Sequence, residues 1–209
     1  MKRAIRAALF ASAAAILPAP AFAQGFNWSL AYEPSVPLGS VRNAAANVSP
    51  AGASLGARYL FTPYWSLGLG GHWAEFAENF SRSTYALPDG GAITGAVYRR
   101  IWVASLMAEA HVYLAPQDAV NPYFGLGTGV SWMGNQLQVS DLGFDDVAHG
   151  ITMSAEGGLL IVFDRDNFLP ERRAMQSIIL GVRYMLGSAG SHDVSNTSYA
   201  GLTLGLLGY

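Results

Sequence analysis

Asn121 to Trp132 reads NPYFGLGTGVSW. Pro122, Phe124, Leu126, Thr128, Val130 and Trp132 share one parity; Tyr123, Gly125, Gly127, Gly129 and Ser131 share the other. On a strand, alternate side chains point to opposite faces, so one face here is bulky and apolar and the other nearly bare. A soluble sheet would set charges on a face open to water. Apolar bulk on one side and glycine on the other suits a narrow barrel with lipid outside and a crowded interior. The glycines lack the Gly-x-Gly-x-x-Gly spacing of a dinucleotide loop, and no helix pattern follows.

Working outward, the same alternation recurs. FNWSLAYE sets Phe26, Trp28, Leu30 and Tyr32 against Asn27, Ser29, Ala31 and Glu33. Pro34 and Pro37 are expected to end that strand, because proline cannot donate to a ladder. A small-residue loop is expected from Leu38 to Pro50. The second strand sets Ala53, Leu55, Ala57, Tyr59 and Phe61 against Ser54, Gly56 and Arg58, and turns at Thr62-Pro63-Tyr64. Trp65 to Leu114 reads as one long hairpin around Leu87-Pro88-Asp89-Gly90-Gly91. Its return strand carries Trp102, Ala104, Leu106 and Ala108 outward, and Ser105, Met107, Glu109 and His111 inward. A loop with Asp141, Asp145, Asp146 and His149 follows, and the sixth strand starts at Ile151. Asp164 to Gln176 is a charged connection, Ile178 to Leu186 a strand, and Ser188 to Ser198 a loop before the last strand.

Eight strands in four hairpins result: an all-β, antiparallel, up-and-down transmembrane β-barrel with short turns at one end and longer loops at the other. Composition agrees. Of the 209 residues 51% are hydrophobic and 12% charged, against roughly 25% charged in soluble domains. No run of residues is long and apolar enough for a transmembrane helix. Residues 1–23 read as a secretory signal: Lys2, Arg3 and Arg6, an apolar run from Ala7 to Leu17, then Ala21-Phe22-Ala23. Residues 24–209 form one barrel domain. Cysteine is absent, which excludes disulfides and thiolate metal sites. The only lysine is Lys2 and acids outnumber arginines beyond the signal, which excludes nucleic acid as a partner.

Pro122-Tyr123-x-Gly125-x-Gly127-x-Gly129 resembles the middle strand of small outer-membrane barrels of the OmpA-like transmembrane and opacity-protein type. The resemblance implies the bacterial outer membrane, with its lipids and lipopolysaccharide, as the location. It also implies insertion by the barrel-assembly machinery, with Tyr209 as the terminal aromatic that machinery reads. Tyr209 has the opposite parity to Leu202, Leu204 and Leu206. A late bulge, or lipid exposure of Leu207 and Tyr209, would reconcile them.

Aromatics on the outward parity (Trp28, Tyr32, Tyr59, Phe61, Tyr64, Trp65, Trp73, Trp102, Trp132 and Tyr184) are expected at the membrane interfaces. The inward parity places Glu33, Arg58, His72, Glu109, His111, Tyr123, Glu156 and Arg183 in the lumen. Buried charges must be paired, so Arg58 and Arg183 are expected opposite Glu109 and Glu156. Such a network either plugs the barrel or lines a narrow channel. His192-Asp193-Val194-Ser195-Asn196 looks like the His-x-Ser-Asn motif of PagL-type lipid A deacylases. That likeness implies His192 as base and Ser195 as nucleophile, but the extra residue sends the two side chains to opposite faces of a strand. The Asp141–His149 acids lack the spacing of a calcium loop. The expected protein is a non-catalytic barrel without metal or cofactor, in a structural role or binding an extracellular ligand through its outer loops. A small-solute channel and a deacylase are the alternatives.

Overall fold

The computed structural model describes residues 25–86, 90–140, 142–163, 177–191 and 194–208. The first strand runs as β1 (Gly25–Tyr32) and β2 (Ser35–Leu38), followed by a short helix α1 (Gly39–Ala44). Then come β3 (Ala51–Thr62), β4 (Trp65–Ala86), β5 (Ala92–Tyr113), β6 (Val120–Val139), β7 (Leu142–Val162), β8 (Ser177–Gly187) and β9 (Thr197–Gly208). All neighbours pair antiparallel, and β1 pairs with β9 to close the ring.

β1 and β2 are one strand of the barrel. Tyr32 pairs with Leu204 and Ser35 with Gly201 in the same register, and Leu202 N donates to the Pro34 carbonyl between them. The prolines therefore do not end the strand where expected. Pro37 pairs with Tyr199, and its missing N–H faces the side where β3 has yet to begin, an edge where proline is tolerated. The ring thus has eight strands. The pairings lead from Phe26 through Tyr59, Leu67, Ala110, Leu126, Ala155, Tyr184 and Ala200 back to the first strand at Val36. A stagger of this kind accompanies strands tilted by about 35–45°.

The outward face is apolar and ringed by aromatics. Trp28, Tyr59, Phe61, Tyr64 and Trp65 lie near the Thr62–Trp65 turn; Tyr32, Trp73, Trp102, Trp132 and Tyr184 form the opposite ring. Trp73 and Trp102 stack at 5.5 Å with planes 9° apart. From Trp65 to Trp73 the chain rises about 26 Å along the strand, or about 20 Å vertically after tilt, near the height of a lipid-facing band. No helix of the described residues is long and apolar enough to cross a membrane.

Three further sequence expectations change. The stretch from Leu38 to Pro50 is not all loop, because α1 occupies it and turns Val41 and Ala44 inward. The acidic segment is not a loop: β6 and β7 continue as strands to Val139 and Leu142, joined through Ser140 at φ 54°. Asp145 and Asp146 are adjacent on β7, pairing with Gln136 and Asn135, so their carboxylates point to opposite faces and share no ligand. β9 keeps one register against both neighbours through Leu207. Leu202, Leu204 and Leu206 face outward, whereas Leu207 is buried inside, so neither a bulge nor lipid exposure of Leu207 occurs. The long Trp65–Leu114 hairpin is present as β4 and β5. The signal, the Leu87–Asp89 tip, Asp141, the Asp164–Gln176 connection and Tyr209 lie outside the described residues.

Candidate functional site: the filled lumen and the projecting sheet

The barrel interior is stacked in three levels. At the short-turn end Tyr113, Tyr123, Leu160, Ile179 and Leu207 form an apolar floor. The middle holds ionisable groups. At the long-hairpin end, Ala74, Phe76, Ile101, Val103, Met107, Met133, Met185, Ala189, Val194 and Tyr199 enclose Val41, Ala44 and Ala45. Val41 is 0% exposed, so α1 stoppers the outer mouth. Ser40 Oγ donates to the Asn196 carbonyl at 2.7 Å, and Asn196 N donates back at 3.1 Å. Ala46 N donates to the Glu78 carboxylate at the other end of the stopper.

The middle level brings together the eight lumen residues expected from parity, with the Tyr123 hydroxyl reaching it from the floor. Arg183 Nε donates to Glu156 Oε2 at 3.1 Å, and its Nη2 donates to the same oxygen. Arg183 Nη1 lies 3.5 Å from Glu33 Oε1 and 3.7 Å from Glu109 Oε1. Arg58 Nη2 reaches Glu109 Oε2 at 3.3 Å. His72 Nε2 lies 2.7 Å from Glu109 Oε1, and Nδ1 lies 3.6 Å from Glu33 Oε2. Tyr123 OH donates to Glu156, and His111 Nε2 stands 3.8 Å from that carboxylate. Three carboxylates thus surround two guanidinium groups, all buried. Such a cluster holds only while each member keeps its partners.

Sequence reasoning did not find what makes room for this cluster. A Cβ at Gly70 would stand 2.6 Å from the Glu109 carboxyl, and one at Gly125 would stand 2.6 Å from the His111 ring. The bare face of NPYFGLGTGVSW is therefore space occupied by neighbours' side chains. Ser54 Oγ and Thr203 Oγ1, donors to Glu33 at 2.9 and 3.4 Å, were also not singled out; both carry the inward parity of their strands. Of the deacylase pair, Ser195 sits exposed beside the Ser191–Val194 bridge, and His192 lies outside the described residues.

Beyond the ring, β4 to β7 continue as a four-stranded sheet. Its inward face carries a third apolar cluster of Val97, Leu137 and Val139 with Phe80 and Ile93. β8 leaves β7 after the Gly187–Thr152 pair and the Ser188–Ile151 hydrogen bond. From Gly143 to His149, β7 is therefore an edge among the described residues. On the outward side of the sheet, Arg100 and Glu75 form a two-pronged pair at 2.7 and 2.8 Å.

No protein-family model and no curated protein matches the chain. Among solved structures, Neisserial surface protein A matches with TM-score 0.53 and 14% identity over 88% of this chain and 94% of that one. Ail of Yersinia pestis matches with TM-score 0.46 and 17% identity, over 89% and 99% of the two chains. The N-terminal barrel of Pseudomonas aeruginosa OprF matches with TM-score 0.44 and 16% identity, over 88% and 98%. The chain has the fold of the Neisserial protein: an eight-stranded antiparallel β-barrel closed by the first and last strands.

Proposed function

We propose that this is a bacterial outer-membrane protein whose sealed barrel anchors a projecting sheet used for contacts at the cell surface, without catalysis. The carrying observation is the lumen, where among the described residues an apolar floor and an apolar level closed by α1 bracket the buried ion-paired cluster. Between those apolar levels the guanidinium and carboxylate groups are engaged with one another rather than lining a free path. That arrangement speaks against the small-solute channel. Residues that serve binding concentrate on exposed segments held by a rigid scaffold, and here the scaffold extends two hairpins well past the aromatic ring. The aromatic rings suit contact with outer-membrane lipid and lipopolysaccharide.

The test is a barrel with both hairpins trimmed to short turns beyond Phe76 and Asn135. Attachment of whole cells to glass and to one another is compared between trimmed and full-length protein. Reduced attachment, with the trimmed barrel still migrating as folded protein on unheated gels, is the expected result. Equal attachment would overturn the surface-contact reading.

A further inference from the structure

The β7 edge has a definite hydrogen-bonding pattern. Ile151 directs both its N–H and its carbonyl toward Ser188, on the β8 side. Val162 N, an odd number of residues away, donates to Ala119 on the β6 side. The β6–β7 register runs without a shift from Leu142 to Ile161. In an antiparallel ladder the two directions alternate. The N–H and carbonyl groups of Gly143, Asp145, Val147 and His149 therefore all face away from β6, and no strand lies beside them among the described residues. All four residues are exposed; Val147 is 63% exposed.

Edges of this kind are ordinarily blunted by charged side chains, lysine above all, by proline, by a bulge or by extreme shortness. This one has no lysine, proline or bulge: it spans seven residues from Gly143 to His149 in regular register. What it carries instead is Asp145 and Asp146 together, one on each face of the strand. These two carboxylates select among occupants. A second copy of the chain is disfavoured. The antiparallel register that matches all four free residues with their counterparts sets the two Asp146 side chains directly opposite, and like charges so placed are destabilising. A strand with two adjacent cations would meet one carboxylate on each face. Leu142 on one face and Val147 on the other would meet its apolar residues.

We propose that the β7 edge from Gly143 to His149 captures an extended basic segment of another protein as a fifth strand of the projecting sheet. The segment it fits has two consecutive lysine or arginine residues within a β-branched stretch. The main-chain ladder supplies the attachment, and the adjacent carboxylates supply the selectivity. This rests on the surface-contact reading above and adds the partner's chemistry.

The probe is a synthetic peptide, Thr-Val-Thr-Lys-Lys-Val-Thr-Val with blocked ends, and its counterpart with Glu-Glu in place of Lys-Lys. Binding is read by fluorescence anisotropy on full-length refolded protein in detergent micelles. Val147→Pro removes one edge N–H that the β6 ladder does not use, so the barrel stays intact. The lysine peptide is expected to bind and to protect the amides of residues 143, 145, 147 and 149 from hydrogen exchange. The glutamate peptide, the Val147→Pro variant and the Asp145→Lys/Asp146→Lys variant are each expected to bind about tenfold more weakly or worse. Absent binding, equal binding of both peptides, or undiminished binding to folded Val147→Pro overturns the edge proposal. The hairpin-trimming result is independent of these outcomes, so the two readings fail separately.

Discussion

Replacing Arg183 with alanine removes the cation that serves three carboxylates at once. Arg183 is 3% exposed and contacts Glu156 through two nitrogens, with Glu33 and Glu109 within 3.7 Å of a third. After the change Glu156 keeps the Tyr123 hydroxyl and His111, and Glu33 keeps Ser54, Thr203 and His72. Arg58 remains as the sole guanidinium among the eight clustered residues, held to Glu109. Breaking a buried ion pair from one side costs about 3–5 kcal/mol, because the partner's charge stays buried. The exposed Arg100–Glu75 pair is the internal contrast. Its geometry is as good, yet Arg100→Ala is expected to cost under about 1 kcal/mol, since solvent screens it. The assay is reversible urea unfolding in lipid vesicles, followed by tryptophan fluorescence and by the gel shift of the folded barrel. Arg183→Ala within about 0.5 kcal/mol of the parent, or no more harmful than Arg100→Ala, would refute the reasoning. A double change, Arg183→Ala with Glu156→Ala, should cost clearly less than the sum of the two, because removing both partners leaves one fewer orphaned charge.

Two further perturbations separate the levels of the lumen. Gly125→Val places a branched side chain where the His111 ring lies and should cost about 1–3 kcal/mol by overpacking; equal urea midpoints for variant and parent would show that the ring has room to move. Val41→Asp buries a charge in the apolar stopper, and α1 should leave the mouth, seen as new protease cleavage between Leu38 and Pro50 on vesicle-embedded protein; an uncut chain would contradict the stopper.

How much of this is legible in the sequence depends on the solvent each segment meets. Between the aromatic rings lipid demands an apolar outward face, so Leu126, Val130, Leu106 and Leu67 alternate strictly and parity alone assigned the lumen residues. Above the rings both faces meet water or protein and that demand lapses. Gly143-Phe144-Asp145-Asp146-Val147 shows no alternation, yet it continues as β7 because β6 offers a ladder to pair with. The helix α1 is only six residues long and has no capping side chain. Its stability comes from seating Val41 and Ala44 in the barrel mouth, a tertiary effect invisible to local pattern. The glycines at 70 and 125 were visible, but their purpose was not: each matches a large side chain on a neighbouring strand, and that pairing depends on register.

The sealed lumen is tested most directly by planar-bilayer recording of the refolded full barrel, with folding verified on the same sample. The filled floor, the ion-paired middle and the α1 stopper predict a silent membrane across a wide voltage range. Discrete, reproducible conductance steps from that sample would contradict the account and make Arg58, Glu109, Glu156 and Arg183 the lining of a pore.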